Sequence, residues 1–431
     1  MTDSRRIVVY CYATILLSAI IVTYQFYYCQ HEVTSAAAQY RRVLLANKHN
    51  DFEHLRILAF GTSRTYGVGV NHPSKAFPSL LSRNNSKNLA IKASGPHYSA
   101  LCTQTMVGQH GGGGGGGDDD QLYDVILLEY NLMADNYIFI LARRLRARFP
   151  QAKIIFMRIW LPFQYRHVPS KKSVLSLIRE RFGTASNSML GQDILNILVE
   201  GTMPEDWIFQ EAVDKRDLLD RVSKEVGGHV YHMPRPENAV EAMRTFGRYY
   251  TPDMNHFTPA GHRFLQHELV KMMHQINAGP TDVLGTWTDR DVCELWYETG
   301  VTSLAHDAPT VTFLDKRHAL EFQTSNHFLE TRNPFPDRPV SVWIDFMAGS
   351  PEGQYPISQV QLAQSPPAEI KPQLKGSTEL HVMKHAQVGM LEPAARANLT
   401  VNALDSGASN FFRIVGVVYT TVQVDGIQSI E

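Results

Sequence analysis

The chain has 431 residues, 44% hydrophobic and 19% charged, which is too apolar for disorder and long enough for two or three domains with real cores. Its 41 basic and 42 acidic residues leave a formal net charge of −1, so there is no global attraction for nucleic acid or an anionic membrane. Four cysteines exclude a disulfide-rich scaffold and a multi-cysteine zinc site.

Residues 1–6 end in Arg5-Arg6 and read as a short cytosolic tail. Residues 7–28 carry no charge and supply the roughly 20 apolar residues that a bilayer core needs. Tyr24, Tyr27 and Tyr28 suit an interfacial belt, so this segment is expected to be a transmembrane signal anchor. A secretory signal cleaved near Ala36-Ala37-Ala38 is the alternative, with its cut unusually far from the apolar run. Both readings place the bulk of the chain in the lumen or outside the cell. Residues 29–54 read as a polar stem. The sequons Asn84-Asn85-Ser86 and Asn398-Leu399-Thr400 agree with that side as possible glycosylation sites. Cys11 and Cys29 belong to the anchor. Cys102 and Cys293 could form one bridge in an oxidising compartment, although pairing is not legible in sequence.

From Leu55 short apolar runs alternate with amphipathic ones. Strands are expected at 56–61, 88–92, 125–130, 153–160 and 229–233, with helical runs between them, including Trp207–Val226. A last helix is expected from Pro259 to about Met273, with Thr258 as N-cap. Alternation of this kind implies a parallel sheet covered on both faces, over residues 55–278. Within it, residues 110–120 hold seven glycines and three aspartates. No Lys-Ser/Thr follows them, so the phosphate-loop reading fails and a flexible insertion is expected. The long segment 161–206 is a candidate lid. Over 279–431 the runs VSVWIDF and 414–423 predict an antiparallel β-sandwich. Trp287, Trp296 and Trp343 there are either a sugar-stacking platform or core residues.

Ser63 follows the first strand in GTSRTYGVG, at the carboxyl edge where open α/β sheets place their sites. A serine hydroxyl needs a base. His256, in TPDMNHFT just before the last helix, is three residues from Asp253, so the carboxylate can hold one imidazole nitrogen while the other faces Ser63. Gly95 and Asn131, at two further strand ends, are candidate donors to an oxyanion. His262, inside the helix, is expected to be structural. His256 and His262 lack a third ligand at a usual spacing, so neither metal nor cofactor is expected.

The order Ser63, Gly95, Asn131, then Asp253 with His256 resembles the SGNH (GDSL-type) hydrolase family over residues 55–275. The blocks that carry it are GTSRTYGVG, NLAIKASG, LLEYN and DMNHFTPAGH. The resemblance implies a three-layer α/β/α fold with about five parallel strands and ester hydrolysis through an acyl-serine. It implies Ser63 as nucleophile, His256 as base and Asp253 as its orienter, with the Ser63 and Gly95 amides and the Asn131 side chain as oxyanion hole. Two positions depart from the family pattern: Thr62 stands for the usual Asp, and Glu129 for the usual Gly. If Glu129 opposes the oxyanion, Glu129→Gly should raise the rate.

The expected function is therefore a membrane-anchored lumenal or extracellular serine esterase acting on an O-acyl ester of a carbohydrate or glycoconjugate, without nucleic-acid partners. A polysaccharide O-acetyltransferase using the same serine and a catalytically degenerate glycan-binding membrane protein are the alternatives.

Overall fold

The computed structural model describes residues 52, 54–108, 123–130, 132–183, 189–211, 213–276, 291–295, 311–314, 317–322, 327–348, 357–363, 365–370, 382–403 and 412–422. The expected anchor 7–28, nearly all of the stem, the insertion 110–120, Asn131, Trp287 and Trp296 lie outside them. Among the described residues no helix is long and apolar enough to cross a membrane.

Five parallel strands form the first sheet: β1 (Ile57–Gly61), β2 (Ser86–Asn88), β3 (Val125–Glu129), β4 (Lys153–Arg158) and β8 (His229–His232), in the order β2-β1-β3-β4-β8. β1 and β3 are buried at every position, as continuous apolar runs demand when both sheet faces are covered. Leu58, Phe60, Ile126, Leu128, Ile154 and Phe156 share a core with Leu101, Leu141, Leu145 and Leu219 from the helices on that side. On the other side the helices Phe77–Leu81 and Pro259–Gln275 pack together, with the Phe77 ring stacked on His262. The ladder beside β1 continues past β2, because Leu89 and Ile91 donate to the carbonyls of Ala59 and Gly61 at 2.7 and 3.0 Å. The expected strand at 88–92 is thus present as a run of backbone contacts shifted toward residue 86.

One expectation changes. Trp207–Phe209 is a strand, β7, and the helix begins only at Val213. β7 pairs with β5 (Tyr165–His167), which also pairs with β6 (Lys172–Ser173). Trp207 packs against His167, which its aromatic ring could do as readily in a strand as in a helix. The segment 161–206 therefore has a small sheet and two helices of its own, Val174–Phe182 and Gly191–Val199.

The remaining strands are antiparallel. β9 (Asp291–Leu295), β10 (Val311–Leu314), β11 (Arg317–Phe322), β13 (Val340–Ala348), β16 (Val382–Leu391) and β18 (Phe412–Thr420) make one sheet. β12 (His327–Arg332), β14 (Ser358–Leu362), β15 (Ala368–Ile370) and β17 (Arg396–Ala403) make the other. Val342, Ile344, Val360, Leu399, Val401 and Val417 fill the space between them. The opposite face of the larger sheet supplies Trp343, Met347, Met383, Val415 and Val418 to the core of the α/β domain. Both faces of β13 are buried for that reason, and Trp343 is a core residue at 8% exposure rather than a sugar platform.

The two domains are also joined covalently by Cys102–Cys293, which closes a loop of 191 residues, and by the buried pair Arg144–Asp291 at 2.7 Å. Replacing both cysteines with serine should lower unfolding stability by about 2–5 kcal/mol, since a long loop loses its entropic constraint on the unfolded chain. Urea denaturation of the two proteins checks this.

Candidate active site

β1 ends in a turn that only glycine permits. A Cβ on Gly61 would lie 2.3 Å from Thr65 Oγ1, so the next helix can start directly over the strand end. Thr62 caps that helix, Ser63–Tyr66, its hydroxyl oxygen accepting from the Arg64 amide at 3.4 Å. Gly69, at φ +99°, brings the following turn against the Phe257 carbonyl, where a Cβ would be 2.3 Å from the oxygen. The serine turn and the histidine loop are thereby packed together.

The histidine loop is a tight hairpin. Tyr250 and Phe257 form an antiparallel bridge, and the Thr251 amide donates to the His256 carbonyl at 2.9 Å. Between them Met254 takes φ +56°, a left-handed conformation costing about 1–2 kcal/mol for a residue with a Cβ. Its side chain is fully buried, and burial on that scale returns about 1.5–3 kcal/mol. With Met254 pointing inward, Asp253 and His256 are held at the rim.

There His256 Nε2 lies 2.8 Å from Ser63 Oγ, and His256 Nδ1 lies 2.5 Å from Asp253 Oδ2. The other carboxylate oxygen accepts from the Thr251 hydroxyl at 2.6 Å and from the amides of Asn255 and His256 at 2.9 and 3.1 Å. Burial pushes the Asp253 carboxyl up, but its hydrogen bond to His256, the imidazole charge and the Thr251 and Asn255 donors outweigh this. They hold it well below the usual carboxylate range. A fixed carboxylate on Nδ1 leaves Nε2 as the free base toward the serine.

Glu129 does not face this crevice. Its carboxylate is completely buried beneath the serine turn. One oxygen accepts from the Thr62 hydroxyl (2.7 Å), the Thr62 amide (3.2 Å) and the Thr65 hydroxyl (3.1 Å). The other meets Arg64 Nε and a terminal guanidinium nitrogen, each at 3.0 Å. Arg64 in turn donates to the Asn255 side-chain oxygen at 2.9 Å. The expected conflict with an oxyanion is therefore replaced by a buried ion pair that joins β3, the serine helix and the histidine loop.

Gly95 is buried at the N-cap of the helix Pro96–Leu101. Its loop leaves the sheet beside the serine helix, with the Asn88 side chain donating to the Thr65 carbonyl at 2.7 Å and Lys92 lying 4.2 Å above the Tyr66 ring. Asn131 lies outside the described residues. His262 is fully buried and its Nδ1 accepts from the Phe77 amide at 3.2 Å. Burial and the neighbouring His256 push its pKa down to about 4, leaving it a neutral structural group.

The sequence reading missed Arg64 and Asn255. The signal was a basic residue directly after the serine, paired with an acidic one where the family pattern has glycine. A charge ending a fully apolar strand needs a buried counter-charge.

No protein-family model matches the chain, and neither does any curated protein. Among solved structures, a two-domain esterase active on acetylated mannans, co-crystallised with mannopentaose, is 10% identical, with a TM-score of 0.49 over 89% of this chain and 95% of that one. A family two carbohydrate esterase from Cellvibrio japonicus is 10% identical, with a TM-score of 0.21 over 32% of this chain and 35% of that one. CsCBM6-3 from Clostridium stercorarium, in complex with cellobiose, is 11% identical, with a TM-score of 0.19 over 27% of this chain and 88% of that one. Carbohydrate esterases are thus among the structural neighbours.

Two outcomes follow from the buried groups. Glu129→Gly should destabilise the protein by about 3–5 kcal/mol, because Arg64 is left buried and unpaired. It should also slow any turnover at Ser63, as paired unfolding and rate measurements will show. Asp135, packed beside Gly95, has its pKa raised by burial to about 6, against the Tyr137 amide and two lysines that lower it. Its ionised form is disfavoured in the folded state, so its stability contribution is full below about pH 4 and is lost as pH rises through about 6. Asp135→Asn should match the parent near pH 4 and exceed it by on the order of 2 kcal/mol above about pH 7, read from urea midpoints.

Proposed function

We propose that the chain is a serine esterase that hydrolyses an O-acyl ester, on a carbohydrate or glycoconjugate, through an acyl-Ser63 intermediate of the SGNH type. The observation that carries this reading is the hydrogen-bonded series Ser63 Oγ, His256 Nε2, His256 Nδ1, Asp253 Oδ2 at 2.8 and 2.5 Å. Ser63 is only partly buried, so an ester can reach it. His256 takes the serine proton as Oγ attacks the acyl carbon and returns it to the leaving sugar oxygen. Water then repeats the sequence on the acyl-enzyme. The Ser63 and Gly95 amides and the Asn131 side chain are assigned to the developing oxyanion.

The degenerate-binder alternative rested on Glu129, and the enclosure of that carboxylate by Arg64, Thr62 and Thr65 removes its motive. The lumenal or extracellular placement is part of the same proposal, with residues 7–28 as anchor. It is supported by the Cys102–Cys293 pairing, which persists in oxidising compartments, and by the exposure of both sequon asparagines, Asn84 and Asn398.

The test is reaction of the full-length chain in detergent with a fluorophosphonate probe, alongside turnover of an acetylated oligosaccharide. The expected result is labelling at Ser63 that is lost in Ser63→Ala. His256→Ala and Asp253→Asn should remain folded and lose about 10⁴-fold in turnover. Acetyl release into water, against transfer to an added sugar hydroxyl, separates the hydrolase from the transferase. A folded protein that neither labels nor turns over would return the assignment to glycan binding.

A further inference from the structure

The sandwich domain reaches the loop that carries Gly95. The Met383 amide, on β16, donates to the Ala93 carbonyl at 2.7 Å, and Ser94 and Met383 pair as a parallel bridge. Ala93 has φ +55°, a conformation that a residue with a Cβ adopts only when its surroundings impose it. Two residues after Gly95, His97 is buried, with its ring stacked on His385 of the same strand at 4.0 Å. His97 Nε2 is also 3.4 Å from Asp345 Oδ1 on β13. Burial, with the neighbouring Lys384, lowers His97 to about 3, and burial raises Asp345, so this contact joins neutral groups. Further along the same stretch come Cys102, bonded to Cys293, and the amides of Gln104 and Thr105, which donate to Asp291 at 3.0 and 2.7 Å. Every partner across these contacts belongs to β9, β13 or β16.

The Gly95 amide has little freedom once this loop is set. The Ser94 hydroxyl donates to the Gly95 carbonyl at 2.9 Å. A Cβ on Gly95 would lie 3.2 Å from the Met133 carbonyl and 3.5 Å from His97 Nδ1. The peptide that bears the proposed oxyanion donor is wedged between the loop after β3 and a strand of the other domain.

We infer that the β-sandwich is part of the catalytic unit, with β16 acting through the Met383 amide and the His385 ring to position the Ala93–His97 segment and so aim the Gly95 amide. The inference rests on the esterase reading, because only a reaction at Ser63 gives that amide an oxyanion to meet. Met383 and His385 are positioning residues. They touch the loop and not the substrate. An oxyanion donor acts on the transition state, so its misplacement appears in kcat and leaves KM nearly unchanged.

The test compares Met383→Pro with Met383→Ala in the full-length protein. Both lose the buried thioether side chain, and only the proline loses the N–H. β16 lies at the edge of its sheet and the Met383 amide points away from β13 to Ala93, so proline removes no ladder bond. Relative to Met383→Ala, Met383→Pro should lower kcat by about tenfold or more with KM within about twofold. It should also raise deuterium uptake in a peptide spanning residues 89–101. Equal kcat in the two variants, or unchanged uptake, overturns the proposal. Should Met383→Pro fail to fold, His385→Ala keeps every backbone contact and carries the same test, with an unchanged kcat as the overturning result. Faster exchange in Met383→Pro, with no ester turnover by the parent or by any variant, would retain the clamp and reject the esterase reading instead.

Discussion

A carboxylate at the end of an apolar strand has to find its partners inside the protein, and the solution found by Glu129 organises the site. Removed from water, it would be prohibitive without donors. It obtains three from the threonines on either side of Ser63 and two from Arg64. Each of those donors lies on the turn that presents the serine. The charge that β3 buries is thus neutralised only when the serine turn is correctly folded. The remaining reach of Arg64, to Asn255, extends the requirement to the loop that holds His256. Three segments far apart in sequence are set by one electrostatic obligation, and a buried pair broken on one side costs far more than the pair gains when intact.

This explains how two departures from the family pattern coexist. Thr62 stands where the SGNH pattern that the sequence resembles has an aspartate, and Glu129 at the end of β3 stands where it has a glycine. The negative charge sits at the end of β3, and the Thr62 hydroxyl donates to it at 2.7 Å. Read singly, Glu129 looks like an intruder in an anion site. Read with Thr62 and Arg64, it is the acceptor that the turn lacks.

Much of the architecture was legible because it follows from periodicity. Continuous apolar runs of four or five residues, too short for a helix, read as strands buried on both faces, and β1, β3 and β4 carry such runs. The residues Ser63, Asp253 and His256, brought together at hydrogen-bond distance, were legible from chemistry and from their places, the serine at a strand end and the Asp-His pair in the loop before the last helix. What failed was information carried by tertiary context. Trp207–Phe209 sits before an amphipathic run and joins it by sequence pattern, yet strand pairing with Tyr165–His167 claims it. The direction in which Glu129 points depends on Arg64, 65 residues away. Trp343 reads as an exposed aromatic or a core one with equal ease until the second covering surface is known.

That second surface is the remaining physical lesson. A sandwich strand normally alternates, one face inward and one toward water. β13 does not, because its outer face packs against the helices Pro96–Leu101 and Tyr137–Arg148 through Trp343 and Met347. An accessory module tethered by a linker would keep a polar outer face, since burying apolar surface against a partner that comes and goes exposes it half the time. Here the disulfide at Cys102 and the Gln104 and Thr105 amides bonded to Asp291 fall on the stretch that follows Gly95, and Arg144, paired with Asp291, donates to the Ala100 and Leu101 carbonyls of that stretch. The loop that carries Gly95 in the α/β domain is therefore held in part by residues nearly three hundred positions further along the chain.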